Sequence, residues 1–149
     1  GILSRAILPD ETFGTTPGGG MNELANGLRT IARLIGASGV IGARRQLFYV
    51  ELYGFDTHSD QKTIHPQLMK KLNDALVFFD AMLGKIGMRD NVTLFTSSEF
   101  GRNFTPNGDG TDHGWGSHHL VMGGAVKGGN IYGKLPSISV NGPGQKAGG

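Results

Sequence analysis

Two short stretches of this chain carry the residue types that hold metal ions. Asp56-Thr57-His58 is one, and the other runs from Asp112-His113 to His118-His119; together they contain four of the five histidines. Neutral imidazole and carboxylate in combination suit zinc, manganese or iron. The chain has no cysteine, which removes thiolate ligands, disulfides and a cysteine nucleophile. Histidine and carboxylate sites leave coordination positions open, where a divalent metal polarises a phosphoryl or sulfuryl oxygen and lowers the pKa of a bound hydroxyl. Either stretch alone is a common surface pattern. The two together, one of them just after an apolar run, point to a metal site formed by Asp56, His58, Asp112, His113 and one or both of His118 and His119.

Other residues near these stretches have competing readings. Glu99 is a candidate ligand or base, or an ion-pair partner of Arg102. Arg102 could hold an anionic oxygen through its planar fork. His65, just before Pro66, reads as a solvent-facing or capping residue. Trp115, the single tryptophan, either walls a pocket or pins its loop. Ser97-Ser98 lacks a Gly-x-Ser-x-Gly elbow. Gly123-Gly124 and Gly128-Gly129 lack the strand–glycine–helix context of a dinucleotide site.

These residues must be positioned by regular elements. Leu24, Leu28, Ile31 and Ile35 follow the spacing of one helical face, predicting a helix over 23–37 capped by Asn22. Residues 46–53, QLFYVELY, read as a buried strand. Pro66 suits a helix start, and apolar residues from Leu68 to Ile86 keep a helical period to about Gly87. Residues 92–97, VTLFTS, make a second strand. Strand, helix, strand is a βαβ unit with parallel strands and a right-handed crossover. Ligands gather beyond the carboxyl ends of such strands, which puts Asp56-His58 and Ser97-Ser98-Glu99 on one sheet edge. Residues 98–118 read as a long functional loop. For the later histidines to meet Asp56, a third strand over 119–125 must run antiparallel or the loop must cross back, and the antiparallel arrangement is the one expected.

The 149 residues suffice for one domain, with 38% apolar content for a core. No stretch approaches the roughly 20 apolar residues of a membrane span. Net charge is +2, and the basic doublets Arg44-Arg45 and Lys70-Lys71 fall short of a phosphate-tracking stripe, so nucleic acid is not an expected partner. Residues 1–20 lack signal-peptide features, and the chain opens with Gly1. The 26 glycines are aperiodic and cluster at 18–20, 108–116, 123–129 and 142–149. Segments 1–21 and 141–149 read as flexible ends around a domain at 22–140.

The motifs GARRQLFYVELYGFDTHSDQ and FTSSEFGRNFTPNGDGTDHGWGSHHLVMGGAVKGGNIYG, with the helix between them, closely resemble the bacterial domain-of-unknown-function family 1501 over about Asn22–Gly133. That family is similar to the alkaline phosphatase and sulfatase superfamily. The resemblance implies an α/β fold, a three-layer αβα sandwich with a mostly parallel sheet, of which this chain is the carboxyl-terminal part. It implies that Asp56 and His58 bind one metal, completed by His118 or His119. It also implies that Asp112-His113 takes the place of a second-metal pair that superfamily members carry directly after the VTLFTS-type strand. Here that strand leads into Ser98-Glu99-Phe100, so Glu99 is an alternative donor. The nucleophile would lie in an earlier segment with no counterpart here. The implied activity is metal-dependent hydrolysis of a small anionic ester, or of a phosphorylated or sulfated glycan, with zinc or manganese, in the periplasm or cell envelope. The alternative is a non-catalytic envelope protein that binds a glycan or a protein partner. A third reading leaves the histidines satisfying loop hydrogen bonds alone.

Overall fold

A computed structural model describes residues 14–134. Its centre is a pair of helices. Helix α1, Glu23–Gly36, buries Leu24, Ala25, Leu28, Ala32 and Ile35 along one face. Asn22 starts it as anticipated, its side chain accepting from the Ala25 backbone N–H. The same side chain donates to the Lys71 carbonyl at 2.9 Å and so ties this helix start to the next long helix. A short turn of helix, α2 (Ser38–Ile41), follows and ends at Gly42, whose φ of +74° suits only glycine comfortably.

Helix α3, Gln61–Lys85, buries Leu68, Ala75, Phe79, Met82 and Leu83. Its middle and end pack on α1 to form the core. Phe79, Leu28, Met82 and Leu83 are the largest fully enclosed side chains, each contributing about 1.5–3 kcal/mol by leaving water. The helix begins five residues before the expected start, with Pro66 inside it. Asp60 adopts a left-handed turn (φ +51°), and the Gln61 N–H donates to the Asp109 carbonyl, so a distant loop fixes the first turn. None of the described helices is long and apolar enough to cross a membrane.

The strands differ most from expectation. The described residues contain two small antiparallel pairs and no parallel pairing. Strand β1, Leu94–Phe95, pairs with β4, Val121–Met122. Strand β2, Gly101–Pro106, pairs with β3, Thr111–Gly114. The three-layer αβα sandwich with a mostly parallel sheet, alkaline-phosphatase-like, is therefore not the architecture of this chain. The antiparallel course of the segment after the histidines does occur, as β4 against β1.

The physical reason lies in residues 46–53. They run extended, with Phe48, Val50 and Leu52 packed on the helical core and Leu47, Tyr49 and Tyr53 at 75–91% exposure. The inward residues give the segment its place: a Cβ on Gly27 of α1 would lie 2.7 Å from Val50 Cγ2, so glycine lets the extended chain seat against the helix. No ladder partner lies beside it among the described residues. Alternating burial without backbone pairing is a strand's side-chain pattern without a sheet.

Residues 98–118, expected as an irregular loop, contain the β2–β3 hairpin instead. The turn sequence Asn107-Gly108-Asp109-Gly110 explains it: Asn-Gly and Asp-Gly between strand-like runs are strong hairpin signals. Of the two ends expected to be flexible, residues 14–21 hold a buried Thr16 and a 3-10 turn at Pro17–Gly20; 1–13 and 141–149 lie outside the described residues.

Candidate metal centre

Asp56 and His58 follow the extended segment, two residues apart. In extended chain that spacing puts both side chains on one side and Thr57 on the other. Thr57 is buried accordingly, while Asp56 and His58 project outward. Two short backbone bonds, Thr57 N–H to the Phe55 carbonyl and His58 N–H to the Asp56 carbonyl, hold the bend.

The β2–β3 hairpin docks on this bend. Thr111 N–H donates to the Thr57 carbonyl at 3.4 Å, and the Thr111 hydroxyl to Gln61 Oε1 at 3.0 Å. Gly110 passes so close to His58 that a Cβ there would lie 2.2 Å from both the His58 carbonyl carbon and oxygen. In the hairpin register Arg102 stands opposite His113. His113 stacks on Phe100, with centroids 3.8 Å apart and planes within 8°.

This docking brings three donors to one point. Asp56 Oδ1 lies 2.9 Å from His58 Nε2 and 3.0 Å from His113 Nε2, and the two imidazole nitrogens are 3.3 Å apart. Ligand atoms sharing one first-row cation, each about 2.0–2.2 Å from it, stand roughly 3.0–3.5 Å from one another. The three spacings fit that requirement closely. The side chains are about half exposed, at 57%, 48% and 44%, so one side of the cluster is open to solvent. The donor set, two imidazoles and one carboxylate, suits zinc, manganese or iron.

Electrostatics support a carboxylate held in its charged form. Hydrogen bonding from His113 lowers the Asp56 pKa from its ordinary value of 3.8; Arg102 adds a second hydrogen bond in the same direction, and partial desolvation opposes both. The Arg102 guanidinium meets Asp56 Oδ1 at 2.6 Å. It also donates to the Thr111 carbonyl at 2.8 Å and the Phe55 carbonyl at 3.0 Å, and its side chain is only 16% exposed. Arg102 thus joins the hairpin to the bend and orients the carboxylate.

The remaining expected site residues stand elsewhere. Asp112 is outside the three-donor point, with its Oδ1 3.3 Å from His58 Nδ1, behind the ring. His118 and His119 are exposed on the approach to β4, and neither belongs to the three-residue cluster found among the described residues. Glu99 is exposed on the side of Tyr49 and Tyr53, where its charge helps raise both phenol pKa values behind the larger effect of their hydrogen bonds to Glu51. Trp115 is 67% exposed and does not pin the loop. His65 is exposed on α3 and meets the Phe55 ring edge-on at 6.0 Å. Sequence reasoning passed over Phe100 and Asn107, and took Gly110 only as one of the 108–116 glycines. The Asn-Gly-Asp-Gly turn was the signal for Asn107 and Gly110; nothing local marks Phe100.

The family model described as "Protein of unknown function (DUF1501)" matches residues 8–144. No curated protein and no solved structure matches the chain.

Proposed function

The chain belongs to the DUF1501 family, and from the donor cluster it carries we propose that it is a metal-dependent hydrolase of phosphate or sulfate esters. The observation that carries this reading is the convergence of Asp56, His58 and His113, whose ligand atoms all lie within 4.8 Å of one another although the residues come from two distant stretches. Three Lewis bases facing one point repel unless protons or a cation stand between them. The spacing suits a cation, and zinc or manganese fits the donors best.

In this reading Asp56, His58 and His113 hold the metal, which supplies Lewis-acid polarisation of the ester's anionic group. The chain's own contribution is positional. Arg102 keeps Asp56 ionised and aimed, while Phe100 fixes the plane of the His113 ring. The half-exposed face of the cluster admits a small anionic ester or the charged substituent of a glycan. The superfamily of alkaline phosphatases and sulfatases, which the motifs resemble, performs this chemistry, and an envelope location accords with that resemblance. The alternative, a non-catalytic envelope protein that binds a glycan or a protein partner, draws on the exposed aromatic face of Tyr49 and Tyr53.

The test is a metal titration followed by a panel of aryl phosphates and aryl sulfates, with and without zinc or manganese. The expected result is stoichiometric metal uptake and metal-dependent turnover, both lost in Asp56→Ala and His113→Ala. Turnover that persists in the double variant refutes the site. Metal uptake without turnover on any ester favours the binding protein.

A further inference from the structure

Neighbouring residues in a strand project to opposite sides. Asp112 and His113 are neighbours in β3, so the pair cannot present both side chains to one point from the strand alone. His113 takes the place beside Asp56. Asp112 reaches around to the other ring nitrogen of His58, Oδ1 to Nδ1 at 3.3 Å. The same Oδ1 accepts from Asn107 Nδ2 at 2.7 Å. His58 therefore lies between two carboxylates, with Nε2 toward Asp56 and Nδ1 toward Asp112.

A neutral imidazole carries one proton. For Nε2 to offer its lone pair to a cation, that proton must sit on Nδ1, and a carboxylate facing Nδ1 stabilises that tautomer. We propose that Asp112 is a positioning residue: it accepts the Nδ1–H of His58, so that the Nε2 lone pair points at the space shared with Asp56 and His113, and Asn107 in the hairpin turn holds Asp112 in place. This rests on the metal reading of the three-donor cluster. It gives Asp112 a role distinct from that of a ligand, and it makes the Asn107–Gly110 turn part of the centre.

Zn2+ affinity is measured by competition with a chromophoric chelator for the wild type, Asp112→Ala, Asp112→Asn, Asn107→Ala and Asp56→Ala. The His58 tautomer is read in the metal-free protein from imidazole 15N shifts. Loss of an orienting carboxylate weakens metal binding by about 10- to 100-fold, and Asp112→Ala is expected in that range. Asp112→Asn, which keeps an acceptor oxygen without the charge, falls between it and the wild type, and Asp56→Ala loses far more than either. In the metal-free wild type Asp56 competes for the proton at Nε2, so the tautomer is compared in the Asp56→Ala background, where His58 is expected to carry its proton on Nδ1, with the population moving toward Nε2–H when Asp112→Ala is added. Unchanged affinity in Asp112→Ala, together with an unchanged tautomer when Asp112→Ala is added to Asp56→Ala, overturns the proposal. A loss as large as that of Asp56→Ala also overturns it, by making Asp112 a ligand. If the wild type takes up no Zn2+, the metal reading fails and the orienting role toward a metal falls with it; the tautomer measurement still decides whether Asp112 sets the His58 proton.

Discussion

Replacing Gly110 by alanine tests whether the centre depends on the hairpin seating against the Asp56–His58 bend. The added Cβ would lie 2.2 Å from the His58 carbonyl carbon and oxygen and 2.7 Å from the Ser59 nitrogen, where ordinary contact begins at 3.4 Å. All three neighbours are backbone atoms, so no side-chain rotation relieves the clash. The hairpin must retreat from His58 by at least about 1 Å, a displacement of the size that costs about 100-fold in preorganised sites. The retreat strains the Thr111–Thr57 and Gln61–Asp109 backbone bonds, each worth about 0.5–1.5 kcal/mol. It also carries His113 away from Asp56, at present 3.0 Å distant. None of the residues of the helical core belongs to this contact. Gly110→Ala is therefore expected to bind Zn2+ or Mn2+ about 10- to 100-fold more weakly while the far-UV circular dichroism of α1 and α3 is preserved. Wild-type affinity in a folded Gly110→Ala protein would refute the claim that hairpin docking builds the site.

Asp56 should titrate below its ordinary value of 3.8, because His113 and Arg102 hydrogen-bond its charged form. A carboxylate whose folded pKa is depressed stabilises the native state above the unfolded value and loses that contribution as pH falls through the folded one. The contribution of Asp56 to the bend should thus be lost as pH falls through a midpoint below 3.8. His113→Ala, which removes the largest cause, should move the Asp56 midpoint upward in a carboxyl 13C titration; an unmoved midpoint contradicts the assignment. In the core, Phe79→Ala should destabilise by about 3–5 kcal/mol, since Phe79 is 2% exposed between α1 and α3. Thermal or urea unfolding checks this, and a change below about 1 kcal/mol would mean that the helices do not share one core.

The sequence carried local patterns well and long-range pairing poorly. The helix capped by Asn22 was legible because its apolar spacing and its capping side chain act within a few residues. The long helix was legible in type but not in start, because its first turn is fixed by Asp109, far along the chain. The reading of 46–53 as a buried strand anticipated an extended segment but not that only Phe48, Val50 and Leu52 would face the core, and it inferred a sheet that requires partners composition cannot supply. Residues 98–118 failed differently. The long-loop reading overlooked Asn107-Gly108 and Asp109-Gly110, turn chemistry strong enough to predict the hairpin without any tertiary knowledge.

The proposed metal centre shows the same division from the other side. Asp56-x-His58 could be read as a same-side pair because alternation in extended chain is local. That the partner would be His113 rather than Asp112 was also open to local argument. Adjacent strand residues diverge, so a strand through 111–114 allows only one of the two to join a point approached from one side. Assigning both to the metal assumed a loop, where no such alternation applies. Once the hairpin is recognised, the choice narrows to one ligand and one residue left to act through something else. The structure supplies what that is: the imidazole of His58 stands between the two carboxylates, Asp56 and Asp112. The hairpin turn, its two strands and the three-donor point are thus consequences of one stretch, 101–114, folding on itself against a bend set by the extended segment before it. This explains how the donors can assemble in a chain whose wider sheet does not. The contacts that bring them together are the hairpin's own pairing and its short docking bonds to residues 55–61, and none of them runs through the parallel strand order expected of the larger fold.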